Sequence, residues 1–209
     1  MKHGPWGPEG SAALLDRVRS LGVSCSPGQA QSLLAFESLL RERAVSLGLV
    51  ARSDAGRLLE RHVLDSLRAA PVIRSVERDV ADIGSGAGLP GIPVAIVRPD
   101  LRVSLVEARR RAAAFLELAV ERLSLENVEV VAGRVEQLDR EFDVCLARAF
   151  GPLDRTWRAV AGILRPSGRL VYFGGRRFRP PRSPEGAVVR VLETAVLESG
   201  GPLVIMSRQ

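Results

Sequence analysis

The ten residues from Asp82 to Gly91, DIGSGAGLPG, follow directly on the run RDVA and constrain the fold more than any other stretch. Glycines this dense after a short strand let the backbone turn sharply, so the next helix can offer its N-terminus and bare N–H groups to a ligand. Two frames overlap in the string. One is GxGxxG at Gly86, Gly88 and Gly91, the dinucleotide fingerprint; the other is DxGxGxG at Asp82, Gly84, Gly86 and Gly88. Ile83 is the last clear strand residue, so a dinucleotide loop requires glycine at 84, 86 and 89, and residue 89 is Leu. The GxGxxG match starts late, and Pro90 stands where that fingerprint is already helical. The second frame fits better. It needs no pyrophosphate, and it places the Asp82 carboxylate at the strand end, where it helps hold a cationic ligand or orients the loop.

The texture on either side supports an α/β chain. Residues 1–10 carry three Gly and two Pro and read as a disordered leader. A helical extension packed on the core is expected over 11–70. Ser26 and Pro27 form an N-cap and N1 pair, and Leu33, Leu34, Phe36, Leu39 and Leu40 recur at helical spacing. A third helix is expected over 53–70, opened by Ser53 and Asp54 and stopped before Pro71. From 71 to 209, strands at 79–83, 102–108, 127–133, 142–149 and 168–174 alternate with helices, one of them from 89 to 97. GAVVRVLE and PLVIMS close the chain as two strands without a helix between them. Such alternation predicts a doubly wound, mostly parallel sheet with an antiparallel C-terminal hairpin, the class I S-adenosylmethionine-dependent methyltransferase topology. RRFRPPRSPEG, 176–186, reads as a mobile loop.

Composition narrows the partners. Net charge is +6 with a sequence pI near 10.7, which favours a polyanionic partner. Every basic residue except Lys2 is Arg, however, whose high pKa inflates the pI and discounts that inference. Aromatics make up only 4%, too few for an extended base-stacking groove. Cys25 and Cys145 are isolated thiols, and Cys145, alternating with Val144 and Leu146, is expected in the core. His3 and His62 are too scattered for a metal site, so none is expected. No apolar run suits a membrane span or a signal peptide, so the reading is a cytoplasmic protein, and a monomer is expected. Glu107, at the end of the second strand, is placed to accept both hydroxyl hydrogen bonds of a ribose, in NAD or in S-adenosylmethionine alike.

RHVLDSL (61–67), DIGSGAGLPGIPVAIVRPD (82–100), FL (115–116), RVE (134–136) and ARAF (147–150) run in collinear order between about 53 and 175. Together they resemble the bacterial 16S ribosomal RNA guanine-N7 methyltransferases, also called glucose-inhibited division protein B. The resemblance implies S-adenosylmethionine as cofactor, contacted at Gly84, Leu89, Val135, Glu136 and Arg148, and ribosomal RNA or the small-subunit particle as partner. The loop argument adds Asp82, Gly86, Gly88 and Glu107. Arg148, at the end of the fourth strand, is the catalytic candidate or a clamp on phosphate or carboxylate. Arg176 and Arg177 are candidates for the substrate side. His62 and Asp65, one helical turn apart, are either a catalytic dyad or, the favoured reading, residues that fasten the extension beside the cofactor loop.

Guanine N7 carries a lone pair and no proton, so methyl transfer to it needs alignment rather than a general base. The chain has neither the Asn/Asp-Pro-Pro-aromatic motif of amino-group methyltransferases nor a catalytic cysteine. It also departs from the family's usual residues at Arg43-Ala44, at Gly48 to Val50 and at Phe173 to Gly175. Two readings compete: a divergent paralogue or non-catalytic cofactor- and RNA-binding module, and a nicotinamide oxidoreductase, which the loop frame disfavours.

Overall fold

A computed structural model describes residues 8–179, 186–192, 197 and 200–209. Seven strands form one sheet: β1 (Asp79–Ile83), β2 (Arg102–Glu107), β3 (Val128–Ala132), β4 (Phe142–Arg148), β5 (Leu164–Phe173), β6 (Ala187–Leu192) and β7 (Leu203–Arg208), in the order β3-β2-β1-β4-β5-β7-β6. The first five are parallel, and the chain reverses direction only at the end. There β7 lies antiparallel between β5 and β6. The expected mostly parallel sheet with an antiparallel closing hairpin is thus observed.

Register follows from alternation. Val144 and Leu146 face one side of β4 with Val103 and Leu105, while Cys145 and Ala147 face the other with Ala81, Ile83 and Val106. Side chains of α6 (Leu153–Val160), Trp157 among them, cover the second face. The first face is covered by α1 (Pro8–Ser20), α2 (Pro27–Leu39), α4 (Gly91–Val97) and α5 (Arg110–Leu123), together with a short turn, α3 (Asp65–Leu67). Cys145 is fully buried, as its position between Val144 and Leu146 predicts.

The helical extension shares one apolar cluster with the sheet. Ser26 caps α2 in a reciprocal box with Gln29, Pro27 opens the helix, and the Gln29 side-chain amide donates to the Ile96 carbonyl at 2.8 Å. Leu33, Leu34, Phe36, Leu39 and Leu40 are all buried.

Three sequence expectations are corrected. The first helix begins at Pro8, inside the stretch read as leader, and residues 1–7 lie outside the described residues, as do 180–185 of the loop expected at 176–186. The 53–70 segment is helical but not one α-helix. It runs as a 3-10 stretch (Arg52–Arg57), a π-helical turn (Leu59–Leu64) and α3, because Asp54 does not cap it and turns toward Arg61 and His62. The helix after the glycine loop starts at Gly91, not Leu89, following a cis Leu89–Pro90 bond.

Candidate active site

The glycine loop leaves β1 at Ile83, and the Gly84 and Ser85 N–H groups both donate to the Val106 carbonyl, at 2.8 and 3.1 Å. Asp82 lies beneath the loop with no exposed surface, and one carboxylate oxygen accepts the Gly91 N–H at 2.9 Å. It therefore fixes where α4 starts rather than reaching a ligand. Burial pushes the Asp82 carboxyl up to about 7, against the pull of the Gly91 N–H and the Arg148 charge. Gly88 also serves packing: a Cβ there would lie 2.4 Å from Ile92 Cδ1.

Two clefts open at the carboxyl edge of the sheet, where such folds place ligands. The larger, about 370 Å³, runs between the ends of β1, β2 and β3 and is lined by Gly84, Glu107, Arg134, Val135, Glu136 and Phe150 among others. The smaller, about 230 Å³, lies on the other side of the loop against the helical extension and is lined by Val50, His62, Gly86, Leu89 and Arg148 among others. Gly84, Arg109 and Ala149 border both. Of the sequence candidates, Gly84, Gly86, Leu89, Glu107, Val135, Glu136, Arg148 and His62 thus line a cleft. Asp82 and Gly88 line neither.

Glu107 is almost buried, with one oxygen accepting the Gly86 N–H at 2.9 Å and the other the Arg109 N–H at 2.9 Å. The Arg109 guanidinium covers the same carboxylate at 3.1 and 3.3 Å. Burial raises the Glu107 carboxyl, but Arg109 and the two N–H groups outweigh it and hold the group ionised below its usual range. An anionic carboxylate at a cleft wall is an acceptor for a diol, and the exposed, flexible Arg109 side chain is the part that can yield.

Arg148 is held from the extension. Its guanidinium donates to the His62 carbonyl at 3.3 Å, to Ser66 Oγ at 3.4 Å and to His62 Nδ1, and it lies 3.4 Å from the Asp65 carboxylate. The His62 ring donates through Nε2 to Asp54 at 3.0 Å, a tautomer set by Arg148 occupying Nδ1. Burial and the Arg148 charge lower the His62 pKa, opposed by Asp54, so the ring is neutral near pH 7. His62 and Asp65 do not bond one another; both grip Arg148. Burial lowers the Arg148 pKa, with Asp65, Asp82 and Asp54 acting against it, and a guanidinium stays charged regardless.

Arg176 and Arg177 lie exposed beyond β5, away from both clefts. Gly174 has a packing reason to lack a side chain, since a Cβ there would lie 2.9 Å from Phe178 Cγ and 3.0 Å from the Pro202 carbonyl. Sequence reasoning missed Asp54, Arg109, Ala149 and Phe150. The first was visible only as a cap candidate, Arg109 carries no motif of its own, and Ala149 and Phe150 stood inside the ARAF stretch without being singled out. Among the described residues no group of His, Cys, Asp and Glu could hold a metal ion, and no helix is long and apolar enough to cross a membrane.

The residues fit a nucleoside joined to a charged amino-acid tail. The Glu107 side offers a diol acceptor beside the apolar wall of Val135, and the Gly84–Gly86 side offers bare backbone beside Arg148. Sheet order and paired clefts define a class I S-adenosylmethionine-dependent methyltransferase. Solved structures share the fold: an O-methyltransferase from Bacillus cereus in complex with SAH (TM-score 0.60, 16% identity, 94% of this chain and 97% of that one). A mutant of MtNAS in complex with S-adenosylmethionine also superposes (TM-score 0.57, 20% identity, 96% and 83%).

The family model described as rRNA small subunit methyltransferase G (GidB) matches residues 29–180, and the chain belongs to that family. Relatives named ribosomal RNA small subunit methyltransferase G include one from Neisseria meningitidis serogroup A, 35% identical over 92% of this chain and 95% of its own length. Another, from Sorangium cellulosum, is 38% identical over 81% and 73%.

Proposed function

We propose that the protein transfers a methyl group from S-adenosylmethionine to N7 of a guanosine in the 16S ribosomal RNA of the small subunit. The observation that carries the RNA side is the uneven pairing of arginines across the sheet. At the amino edge five are paired with carboxylates: Arg102 and Arg165 on Asp79, Arg165 also on Asp143, Arg78 on Asp100, and Arg74 and Arg169 on Glu77. Arg110, Arg111 and Arg134 at the carboxyl edge, Arg52 next to the Ala51 wall of the smaller cleft, and Arg176 and Arg177 beyond β5 are exposed, and none has an ion pair among the described residues. Phosphate contacts ask for this kind of free, exposed guanidinium.

Glu107 would take the ribose hydroxyls, Val135 and Glu136 would border the base, and Gly84, Gly86 and Leu89 would border the amino-acid tail with Arg148 beneath it. When bound, the cofactor supplies an electrophilic methyl carbon on a sulfonium. The acceptor nitrogen has its lone pair available, so the chain's task is alignment and exclusion of water. His62 and Asp65 would act by positioning Arg148. The reading takes the protein as a monomer, and a ribosomal RNA substrate supports work in the cytoplasm as part of rRNA processing.

The test has two arms. Titration should show binding of S-adenosylhomocysteine and none of NAD; the reverse would refute the cofactor assignment. Reductive strand cleavage should then map one N7-methylguanosine in small-subunit RNA that disappears in a deletion strain. An unchanged pattern would favour the paralogue instead.

A further inference from the structure

Phe150 is the one aromatic side chain among the large exposed apolar residues described, 37% exposed, and it lines the larger cleft next to Gly84 and Ala149, which border both clefts. Its ring lies over the bare face of Gly84, where a Cβ would come within 2.6 Å of Phe150 Cδ2. Two further features fix it there. Ala149 takes a left-handed conformation, φ +55, which a residue with a side chain rarely adopts and which bends the chain toward β1 at the end of β4. Just beyond the ring, the Gly151 carbonyl accepts hydrogen bonds from the Tyr172 hydroxyl at 2.8 Å and from Thr156 Oγ1 at 3.4 Å. An exposed aromatic ring held this firmly over a cofactor loop has one open face.

We propose that this open face of Phe150 is the platform on which the acceptor guanine stacks, a role that rests on the function proposed above. Enzymes that modify a base take it out of its helix and hold it against aromatic side chains. The chemistry adds a second reason. As the N7–methyl bond forms and the bond from methyl to sulfur breaks, positive charge passes from the sulfonium to the purine. A π-face beneath the purine binds that charge more strongly than the neutral base. Phe150 therefore contributes to turnover as well as to RNA affinity.

The test compares Phe150→Leu, which keeps an apolar wall on Gly84, with Phe150→Tyr and Phe150→Trp, which keep a π-face. Kd for S-adenosylhomocysteine is measured alongside kcat and KM on small-subunit RNA. Phe150 also lines the larger cleft, so the readout is the excess: Phe150→Leu should lose about 10- to 100-fold more in kcat/KM on RNA than in affinity for S-adenosylhomocysteine, with a fall in kcat. The Tyr and Trp variants should stay within about threefold on both measures. Wild-type activity in Phe150→Leu, or a loss of cofactor affinity that matches its loss of rate, overturns the stacking role alone. A wild-type protein that binds S-adenosylhomocysteine but methylates no RNA overturns the proposed function, and the stacking role falls with it.

Discussion

Replacing Asp82 with Asn isolates one buried charge. The carboxyl is fully buried with its pKa pushed to about 7, against 3.8 for the ordinary group. A rise of roughly three units corresponds to about 4 kcal/mol of preference for the protonated form in the folded state. Because the folded pKa is raised, this stability is fully present below pH 3.8. It is lost as the pH rises through about 7, where the unfolded chain ionises freely and the folded one does so at a cost. Asn keeps an oxygen for the Gly91 N–H but has nothing to ionise, so its own packing penalty is constant with pH. The quantity to measure is the gap between the two proteins in urea unfolding free energy, across a pH series. Between pH 4.5 and 8.5 it should move by about 3 kcal/mol in favour of the variant. His62 acts in the opposite sense but is common to both proteins and cancels in the gap. Parallel curves, with the gap constant to about 1 kcal/mol, would refute the assignment of Asp82 as a buried, protonatable strut.

Three more outcomes are expected. Glu107→Gln should weaken S-adenosylhomocysteine binding by about 10- to 100-fold, measured by calorimetry, because the diol loses a charged acceptor. Folding lowers the His62 pKa, so its contribution to stability is present above the ordinary value of 6.5 and lost as the pH falls through the folded value. His62→Gln should flatten that acid limb in thermal melts. Changing Arg176 and Arg177 together to Ala should reduce the slope of log affinity for small-subunit RNA against log salt by about 1 to 2, with cofactor affinity unchanged.

Local chemistry made much of this architecture legible in the sequence. The alternation of short apolar runs with helical periods placed all seven strands, and Ser26-Pro27 placed the start of α2. The Asp82 frame was readable because Ile83 and Pro90 bound the loop on either side. What escaped depends on long-range contact. Asp54 looked like a cap because acidic residues favour that place, but its partner His62 is seated by Arg148, 86 residues further on. The π-helical turn over Leu59–Leu64 has no sequence period of its own; it goes with a ring that must face β4. Ala149 takes a conformation that propensity assigns to glycine, and only the packing around Phe150 reveals it.

The pairing of arginines on one edge of the sheet has a consequence for motion before contact. Ion pairs held at 2.6 to 2.8 Å on the amino edge cancel at a distance. The unpaired Arg110, Arg111 and Arg134 at the carboxyl edge then give the molecule a positive face beside the clefts. A negative surface exerts a torque on such a body while it is still a Debye length or more away. It turns the cofactor face forward before any base is touched. Most diffusive encounters then begin in a productive orientation, and added salt slows their rate before it weakens any contact between protein and base.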